Sequence, residues 1–179
     1  KQVHSLSKIK YVNKYLHILQ NVNLGNLSIK LDLCWFGFVK MTRVAIRPGK
    51  PILFAKLKGK QKAIFGLPGN PMSSAACFRF FVFPYIEYIL GLNEEKPFKA
   101  ILKNNFTKKQ NFTRFAKSKL NTTKNGKIEV EILQGQESFR IKSFVKSNIW
   151  SLLPSGKSNF KKGDIVDCFF PNQSNSTLI

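Results

Sequence analysis

A short Gly/Pro-rich turn is the segment whose residue types and spacing are best suited to bind an anion. It runs from Gly66 to Ser74, after an apolar strand-like stretch and before a long apolar stretch typical of a helix. Asn70 suits the N-cap and Pro71 the first helical position, while two serines add hydroxyl groups. Free N–H groups at the positive end of a helix dipole bind phosphate well. The alternative is a tight turn before a capped structural helix.

A basic turn, Arg47-Pro48-Gly49-Lys50-Pro51, lies less than twenty residues upstream of the Gly/Pro-rich turn. Its two prolines and one glycine make it stiff, and it presents two cations. A rigid basic turn combined with a helix N-terminus suits a phosphorylated ligand. The alternative is that Arg47 and Lys50 are merely solvated, as two of the thirty basic residues of the chain.

Taken together, the two turns resemble one protein family. Segments 44–51 and 66–75, in this order and with a strand pair between them, resemble the C-terminal half of the MoeA-type molybdopterin molybdenumtransferases, to which the gephyrin E domain belongs. Further along, the resemblance to the family's C-terminal domain rests on Asn111-Phe112-Thr113-Arg114, Asn125-Gly126, Gln136-Glu137-Ser138 and segment 161–166. The likeness extends from about Val44 to Pro171.

The resemblance implies a fold, an activity and a set of site residues. The fold is a partial, three-layer α/β molybdopterin-binding domain over 1–92, a linker over 93–98 and a small all-β barrel-like domain over 99–179. The activity is insertion of molybdate into adenylylated molybdopterin, with release of AMP and a requirement for magnesium. The implied substrate- and phosphate-binding residues are Arg47, Lys50, Gly66, Pro68, Gly69, Asn70, Pro71, Ser73, Ser74, Arg114 and Ser138.

One family motif is missing from the sequence. The family carries a Gly-Gly-x-Ser-x-Gly…Asp loop upstream of its basic turn, which supplies phosphate contacts and an acidic residue linked to the metal. Residues 1–40 contain no such loop, and Asp32 is their only carboxylate. The family's N-terminal domains are not recognisable either. We therefore expect that this polypeptide alone does not catalyse turnover, and we assign no catalytic or metal-binding residue.

Composition limits the expected partners. Thirty Lys and Arg against nine Asp and Glu give a formal charge of +21, which is typical of proteins that bind nucleic acid or membranes. The basic residues are mostly Lys and are spread along the chain, and Asn, Ile and Phe, which share A/T-rich codons, are also abundant. We interpret the charge as a compositional bias and expect neither partner. Three widely spaced cysteines indicate reduced thiols, as in the cytoplasm.

The resemblance also implies a homodimer, with the molybdopterin adenylyltransferase as a possible partner. Two other functions stay open. The chain could be a non-catalytic module that binds molybdopterin or a partner protein, because binding can survive without carboxylates for magnesium. It could also be a basic nucleic-acid binder, with Phe106, Phe112 and Phe115 beside Lys and Arg. For Arg114 and Ser138 the alternative is an ordinary barrel surface.

Hydrophobic spacing predicts the elements that position these residues. Apolar residues at three- and four-residue steps predict a helix over about 8–20. A second helix is predicted from Pro71 to about Leu90, interrupted by Pro84 and ended by Gly91. A two-residue hairpin turn is predicted at Asn125-Gly126. Strands are predicted near 27–33, 43–47, 51–57, 61–65, 111–120, 127–134, 138–146, 148–153 and 164–170.

Overall fold

The computed structural model describes residues 16–19, 37–41, 43–57 and 62–171. The chain divides into two compact units: the first takes in the residues up to Val44 and 49–95, and the second takes in 45–48 and the residues from Lys96 onward. The strand predicted at 27–33 lies outside the described residues, as does the part of the first predicted helix before residue 16.

Twelve strands and three short α-helices make up the described part of the chain. The strands are β1 Leu16–Leu19, β2 Gly37–Met41, β3 Ile46–Arg47, β4 Leu53–Leu57, β5 Ala63–Gly66, β6 Phe98–Leu102, β7 Phe106–Thr107, β8 Thr113–Thr122, β9 Ile128–Ile132, β10 Ile149–Leu153, β11 Asn159–Phe160 and β12 Ile165–Phe169. The helical segments are α1 Pro71–Cys77, a π-helical segment Phe78–Val82, α2 Phe83–Ile89 and α3 Ile141–Val145.

The first unit is an α/β domain, as predicted, with a four-stranded sheet in the order β1-β5-β4-β2. The strands predicted at 51–57 and 61–65 are confirmed as β4 and β5, which pair antiparallel. The core between sheet and helices contains an aromatic cluster of Phe54, Phe65 and Tyr85, whose ring centroids lie 4.9–5.9 Å apart. The other buried core side chains are those of Ile52, Ala63, Leu67, Cys77 and Val82.

The predicted helix over 8–20 is wrong for the residues that the structure describes. Leu16–Leu19 form β1, which pairs parallel with β5 in the register Leu16↔Ala63. Apolar residues every three or four positions also occur in a short, largely apolar strand. Pairing with the edge of β5 gives these four residues the strand conformation. The sheet, not the local sequence, decides the conformation here.

The helix after the Gly/Pro-rich turn begins and ends as predicted. Asn70 is the N-cap, and its side chain accepts from the N–H groups of Met72 and Ser73. Pro84 cannot donate to a carbonyl one turn back, and the turn before it is π-helical, with Phe83 N–H bonded to Phe78 O.

The helix ends in a turn that needs a positive φ. Gly91 has φ of 66°, and its N–H donates to Tyr88 O. The N–H of Leu92 donates to Glu87 O at 3.0 Å, which completes the pair of bonds typical of a glycine-terminated helix. The predicted stop at Gly91 is therefore confirmed.

The second unit is a closed five-stranded barrel, so the predicted barrel-like domain is confirmed. Its strands follow the order β10-β12-β6-β9-β8, and β10 also pairs with β8 to close the ring. β3 adds to the outside of this ring by pairing parallel with β8. The barrel is filled by ten buried side chains, those of Ala100, Leu102, Ala116, Val130, Ile132, Ile149, Leu153, Phe160, Val166 and Cys168.

Two local predictions in the barrel are wrong. The segment predicted as a strand at 138–146 contains the short helix α3 instead. Because β8 and β10 pair directly, they leave no edge between them for another strand. The hairpin between β8 and β9 has a three-residue loop, not a two-residue one, because Thr123 N–H donates to Lys127 O across Lys124, Asn125 and Gly126.

Candidate functional site

In the first unit, the Gly/Pro-rich turn is held together by its own side chains. Gly66 and Pro68 are buried, whereas Gly69 and Pro71 are exposed. The hydroxyl of Ser74 donates to the carbonyl of Pro68, which closes the turn over six residues. Ser73 is buried. The turn is therefore a rigid, locally bonded structure at the start of a helix.

The N–H groups of the first helical turn are not free, contrary to the prediction. The predicted row of unpaired N–H donors does not include Met72 and Ser73, because the Asn70 amide oxygen accepts from them at 3.1 and 3.3 Å. The Ser74 N–H donates to the Asn70 carbonyl at 2.9 Å. A good N-cap satisfies the donors that an anion would otherwise use. An anion at this turn would depend more on close approach to the backbone than on free helix N–H groups.

Part of the basic turn also belongs to the first unit. The carbonyl of Gly49 accepts from the buried Cys77 thiol at 3.5 Å, so this end of the basic turn lies against the last residue of α1. The carbonyl of Lys50 accepts from Val44 N and Ile52 N, which keeps the chain tightly turned. The Lys50 residue itself is exposed. The first unit thus brings the predicted residues Lys50 and 66–74 onto one substructure.

In the second unit, the structure brings Arg47 and Arg114 together. They are register partners in the parallel pair of β3 and β8, so their side chains leave the sheet on the same face. The Arg47 guanidinium carbon lies 4.7 Å from the ring centroid of Phe112, and that of Arg114 lies 5.8 Å from the ring centroid of Phe106. The aromatic rings hold both guanidinium groups in defined positions.

Positive charges outnumber negative ones around Arg47 and Arg114. Burial lowers the pKa of Arg114, the positive charge of Arg47 lowers it further, and Glu137 opposes the change. Lys108 is buried and donates to Phe112 O at 2.7 Å, and burial and Arg114 both lower its pKa. We call Arg47, Lys108 and Arg114 the cationic cluster. Like charges held this close favour an anion between them.

Ser138 belongs to the loop that follows β9. Ser138 is half-buried, two residues after Gln136, whose carbonyl accepts from Arg114 Nη1 at 3.5 Å. This loop is fixed from below by Lys117, a buried residue of β8 whose ammonium donates to the carbonyls of Gly135, Glu137 and Arg140. The loop that carries Ser138 therefore contacts Arg114, and the two predicted residues share one substructure.

Three residues of this region were missed by reasoning from sequence. Lys108, Lys117 and Gln136 are each bonded to backbone groups that position the cationic cluster or its loop. No sequence signal points to them. β8 contains Thr, Arg, Ser, Asn and a second Lys, so Lys117 is one of several polar residues on its strand, and Lys108 and Gln136 also lie in polar segments.

The described residues contain neither a cluster of metal-ligand side chains nor a membrane-spanning helix. Among the described residues, no three or more His, Cys, Asp or Glu side chains gather into a group that could hold a metal ion. Within the same part of the chain, no helix has the length and apolar character needed to cross a bilayer. A surface cavity of about 770 Å³ lies beside α3, but neither Arg114 nor Ser138 lines it, and we do not assign it to a ligand.

Comparison with known proteins assigns a family to both units. A family profile described as "Probable molybdopterin binding domain" matches residues 36–88, and one described as "MoeA C-terminal region (domain IV)" matches residues 99–169. A molybdopterin molybdenumtransferase of Staphylococcus aureus strain COL is 36% identical over 132 residues, which are 72% of this chain and 30% of that protein. The enzyme of the same name from Haemophilus influenzae is 36% identical over 134 residues, 73% of this chain and 32% of that protein.

Solved structures agree on the fold. The molybdopterin biosynthesis MoeA protein of Pyrococcus horikosii superposes with a TM-score of 0.64 at 24% identity, covering 87% of this chain and 37% of that one. A molybdenum cofactor biosynthesis protein of Pyrococcus furiosus gives a TM-score of 0.59 at 19% identity. The chain spans about a third of the length of the curated relatives it matches. It belongs to the MoeA-type family, through a molybdopterin-binding α/β domain followed by the MoeA C-terminal barrel.

Proposed function

We propose that this chain is the C-terminal part of an enzyme of molybdenum cofactor biosynthesis. The reaction inserts molybdate into adenylylated molybdopterin and releases AMP. The single observation that carries the proposal is the paired placement of Arg47 and Arg114 in a chain that matches both family profiles. Molybdate and phosphate are oxyanions, and guanidinium groups recognise oxyanions through paired, charge-assisted hydrogen bonds.

Each unit, taken by itself, offers a different kind of contact to an oxyanion. In the second unit, the cationic cluster neutralises charge on phosphate or molybdate oxygens, and Ser138 adds a hydroxyl. In the first unit, Lys50 supplies a cation. The turn with Gly66, Pro68, Gly69, Asn70, Pro71, Ser73 and Ser74 lets a ligand approach the backbone closely. These roles rest on the family resemblance and on the geometry within each unit.

The remaining family properties are proposals of the same kind. Because the described residues hold no cluster of metal ligands, we assign no magnesium contact to them, and a magnesium requirement would be met by other parts of the enzyme or by ligand phosphates. We extend to this chain the homodimer, the cytoplasmic location and the partnership with the molybdopterin adenylyltransferase that the resemblance implies.

The test is an equilibrium titration of this chain with adenylylated molybdopterin in the presence of magnesium. We expect Arg114→Ala to weaken binding by about tenfold or more, because it removes charge-assisted bonds. Lys119→Ala is the matched control: Lys119 lies on the same strand and is exposed, so its loss removes one charge with an effect below about twofold. Lys50→Ala and Asn70→Ala test the first unit in the same assay.

Two further arms separate the alternatives. Competing single-stranded DNA and raised salt should displace little ligand; equal displacement by both would assign binding to net charge and would contradict the proposal. AMP release is then measured with the complete enzyme, in the wild type and in Arg114→Ala. Tight binding without AMP release or molybdenum insertion would indicate the non-catalytic binding module instead.

A further inference from the structure

Lys117 is a buried cation whose three donors are all used by one loop. Its side chain starts from β8 and is 3% exposed. Its ammonium donates to the carbonyls of Gly135 at 2.7 Å, Glu137 at 3.1 Å and Arg140 at 3.1 Å. A lysine ammonium has three N–H donors, so each donor has one acceptor. The loop from 135 to 140 therefore folds around this one ammonium group.

A second tie joins the same loop to the backbone of Lys117. The Gln136 amide oxygen accepts from Lys117 N–H at 3.0 Å, and the Gln136 amide nitrogen donates to the carbonyls of Lys117 and Leu133 at 2.7 Å each. A strand with free backbone groups would offer them to a neighbouring strand. Here the Gln136 side chain takes that place together with Leu133 N–H, which donates to the Lys117 carbonyl at 3.0 Å. The loop is therefore bonded to the side chain and to the backbone of Lys117.

This loop carries one residue of the proposed anion site, Ser138, and the carbonyl that accepts from another, Arg114. The Gln136 carbonyl accepts from Arg114, which lies three residues before Lys117 on the same strand. Ser138 lies between Glu137 and Arg140, within the span whose carbonyls Lys117 holds. Any change in the path of the loop would therefore move Ser138 and the acceptor of Arg114 together.

Burying a lysine ammonium group at this position costs free energy, which its hydrogen bonds to the loop offset. Burial lowers the pKa of Lys117, Glu137 opposes this change, and the positive charges of Arg114 and Arg140 add to it. The carbonyls of Gly135 and Arg140 also accept from the Ser143 hydroxyl, and that of Glu137 from Arg140 N–H. An apolar side chain at position 117 would avoid the burial cost but would leave these carbonyls with that one donor each and would cut the tie between the loop and β8. The lysine is thus suited to fix a loop path that backbone pairing alone does not fix.

We propose that Lys117 is a positioning residue: by binding three carbonyls of the 135–140 loop, it keeps Ser138 and the Gln136 carbonyl in place relative to Arg114. The consequence for ligand binding rests on the proposed anion-binding role of Arg114 and Ser138. The consequence for the loop does not, so the two parts can fail separately.

The first measurement is amide hydrogen exchange of Lys117→Met without ligand. The variant keeps a long unbranched side chain and removes the ammonium group. We expect amides in the 135–140 loop to exchange roughly tenfold faster or more, while the barrel strands keep their protection. Lys119→Met, an exposed lysine on the same strand, should leave the loop unchanged. Unchanged exchange at 135–140 in Lys117→Met would overturn the proposal.

The second measurement separates positioning from simple stability. Val130→Ala removes a fully buried core side chain of β9, so it weakens the barrel without touching the loop. At a temperature where all variants are folded, Lys117→Met should bind adenylylated molybdopterin about tenfold more weakly or worse, since small displacements at a site are costly. Val130→Ala should stay within about twofold of the wild type.

The outcomes are distinct. If the wild type binds and both variants match it, Lys117 is structural only and the proposal is wrong. If the wild type does not bind the ligand, the proposed function fails, and the exchange experiment still decides the role of Lys117 in the loop. If Lys117→Met does not fold, Lys117→Gln keeps two donors and should show a smaller change in both measurements; wild-type behaviour in that variant would contradict the proposal.

Discussion

The turn at 66–74 and the 135–140 loop are held in place by different kinds of hydrogen bond. In the turn, Asn70 and Ser74 bond to groups two to six residues away in the sequence. In the loop, Lys117 bonds to carbonyls 18 to 23 residues away. The turn can form as soon as its own residues meet, whereas the loop needs the barrel strand beneath it. The turn of the first unit is thus held by local hydrogen bonds, and the loop of the second unit is joined to its strand by long-range ones.

This difference decides what each unit tolerates. A substitution in the turn removes one or two bonds of a structure that the neighbouring helix still supports. The loop has local bonds as well, such as those of the Ser143 hydroxyl, but its tie to β8 is long-range. A substitution that cuts this tie should therefore affect the loop along its length. Four predictions test this comparison, from the largest expected effect to the smallest.

Gly135→Ala should give the largest loss of stability of any single substitution at neutral pH, about 2 kcal/mol. Gly135 has φ of +75°, and a Cβ there would lie 3.0 Å from Arg140 Cδ, inside the loop that surrounds Lys117. Gly126→Ala is the matched control, because Gly126 has φ of +73° with nothing within 4 Å. It should cost about 1 kcal/mol. Denaturant unfolding measures both; equal losses would mean that the loop is no more constrained than an open hairpin.

The buried thiols of the two units should make stability fall above pH 9. Burial raises the pKa of Cys77 to about 12 and that of Cys168 to about 11, from an ordinary value of 9.0. Between pH 9 and these values the unfolded thiol ionises and the folded one does not, so rising pH favours unfolding, by up to about 1.4 kcal/mol per thiol and pH unit.

Single cysteine variants show how much of the stability lost above pH 9 comes from each unit. Cys77→Ala should remove the dependence that belongs to the first unit, and Cys168→Ala should remove that of the barrel. Unfolding curves from pH 8 to pH 11 compare each variant with the wild type, because the lysines contribute in the opposite direction in all three proteins. Identical pH profiles for the wild type and a variant would show that the thiol in question is not buried.

Asn70→Ala should cost about 1 kcal/mol, because the first helical turn loses its acceptor. Asn70→Asp keeps an acceptor and should cost much less. Hydrogen exchange should quicken at Met72 and Ser73 and stay unchanged further along the helix. Faster exchange throughout 71–89 would show that the cap supports the whole helix and that the turn is not a local device.

Lys99→Ala should have the smallest effect, less than about 0.5 kcal/mol. Its ammonium pairs with Asp167 at 2.6 Å over a sequence separation of 68 residues, yet the lysine side chain is 69% exposed. The pair is long-range, as the bonds of Lys117 are, but it lies in water. Thermal unfolding that shows a loss comparable to that of Gly135→Ala would mean that sequence separation, not burial, sets the cost.

The parts of the fold that follow from sequence are the locally bonded ones. Asn70, Pro71 and Gly91 were predicted correctly because caps and stops depend on neighbouring residues. The strand at 16–19 and the helix within 138–146 were not, because an adjacent strand in one case and a closed barrel in the other decide the conformation.

The candidate site divides in the same way. The motif residues of the turn and Arg47, Arg114 and Ser138 could be named from the family resemblance. Lys117 and Gln136 could not, because their role appears only when β8 passes beneath a loop that follows β9 in the sequence. The burial of Lys117 depends on the assembled barrel, and no neighbouring residue in the sequence indicates it.

The most direct test of the account is a double-mutant cycle on Arg47 and Arg114, read out as affinity for adenylylated molybdopterin. If the two guanidinium groups bind one anion, as their register pairing predicts, the double variant loses less than the sum of the two single variants, by about 1 kcal/mol or more. Single losses that add to within about 0.5 kcal/mol would contradict a shared anion site.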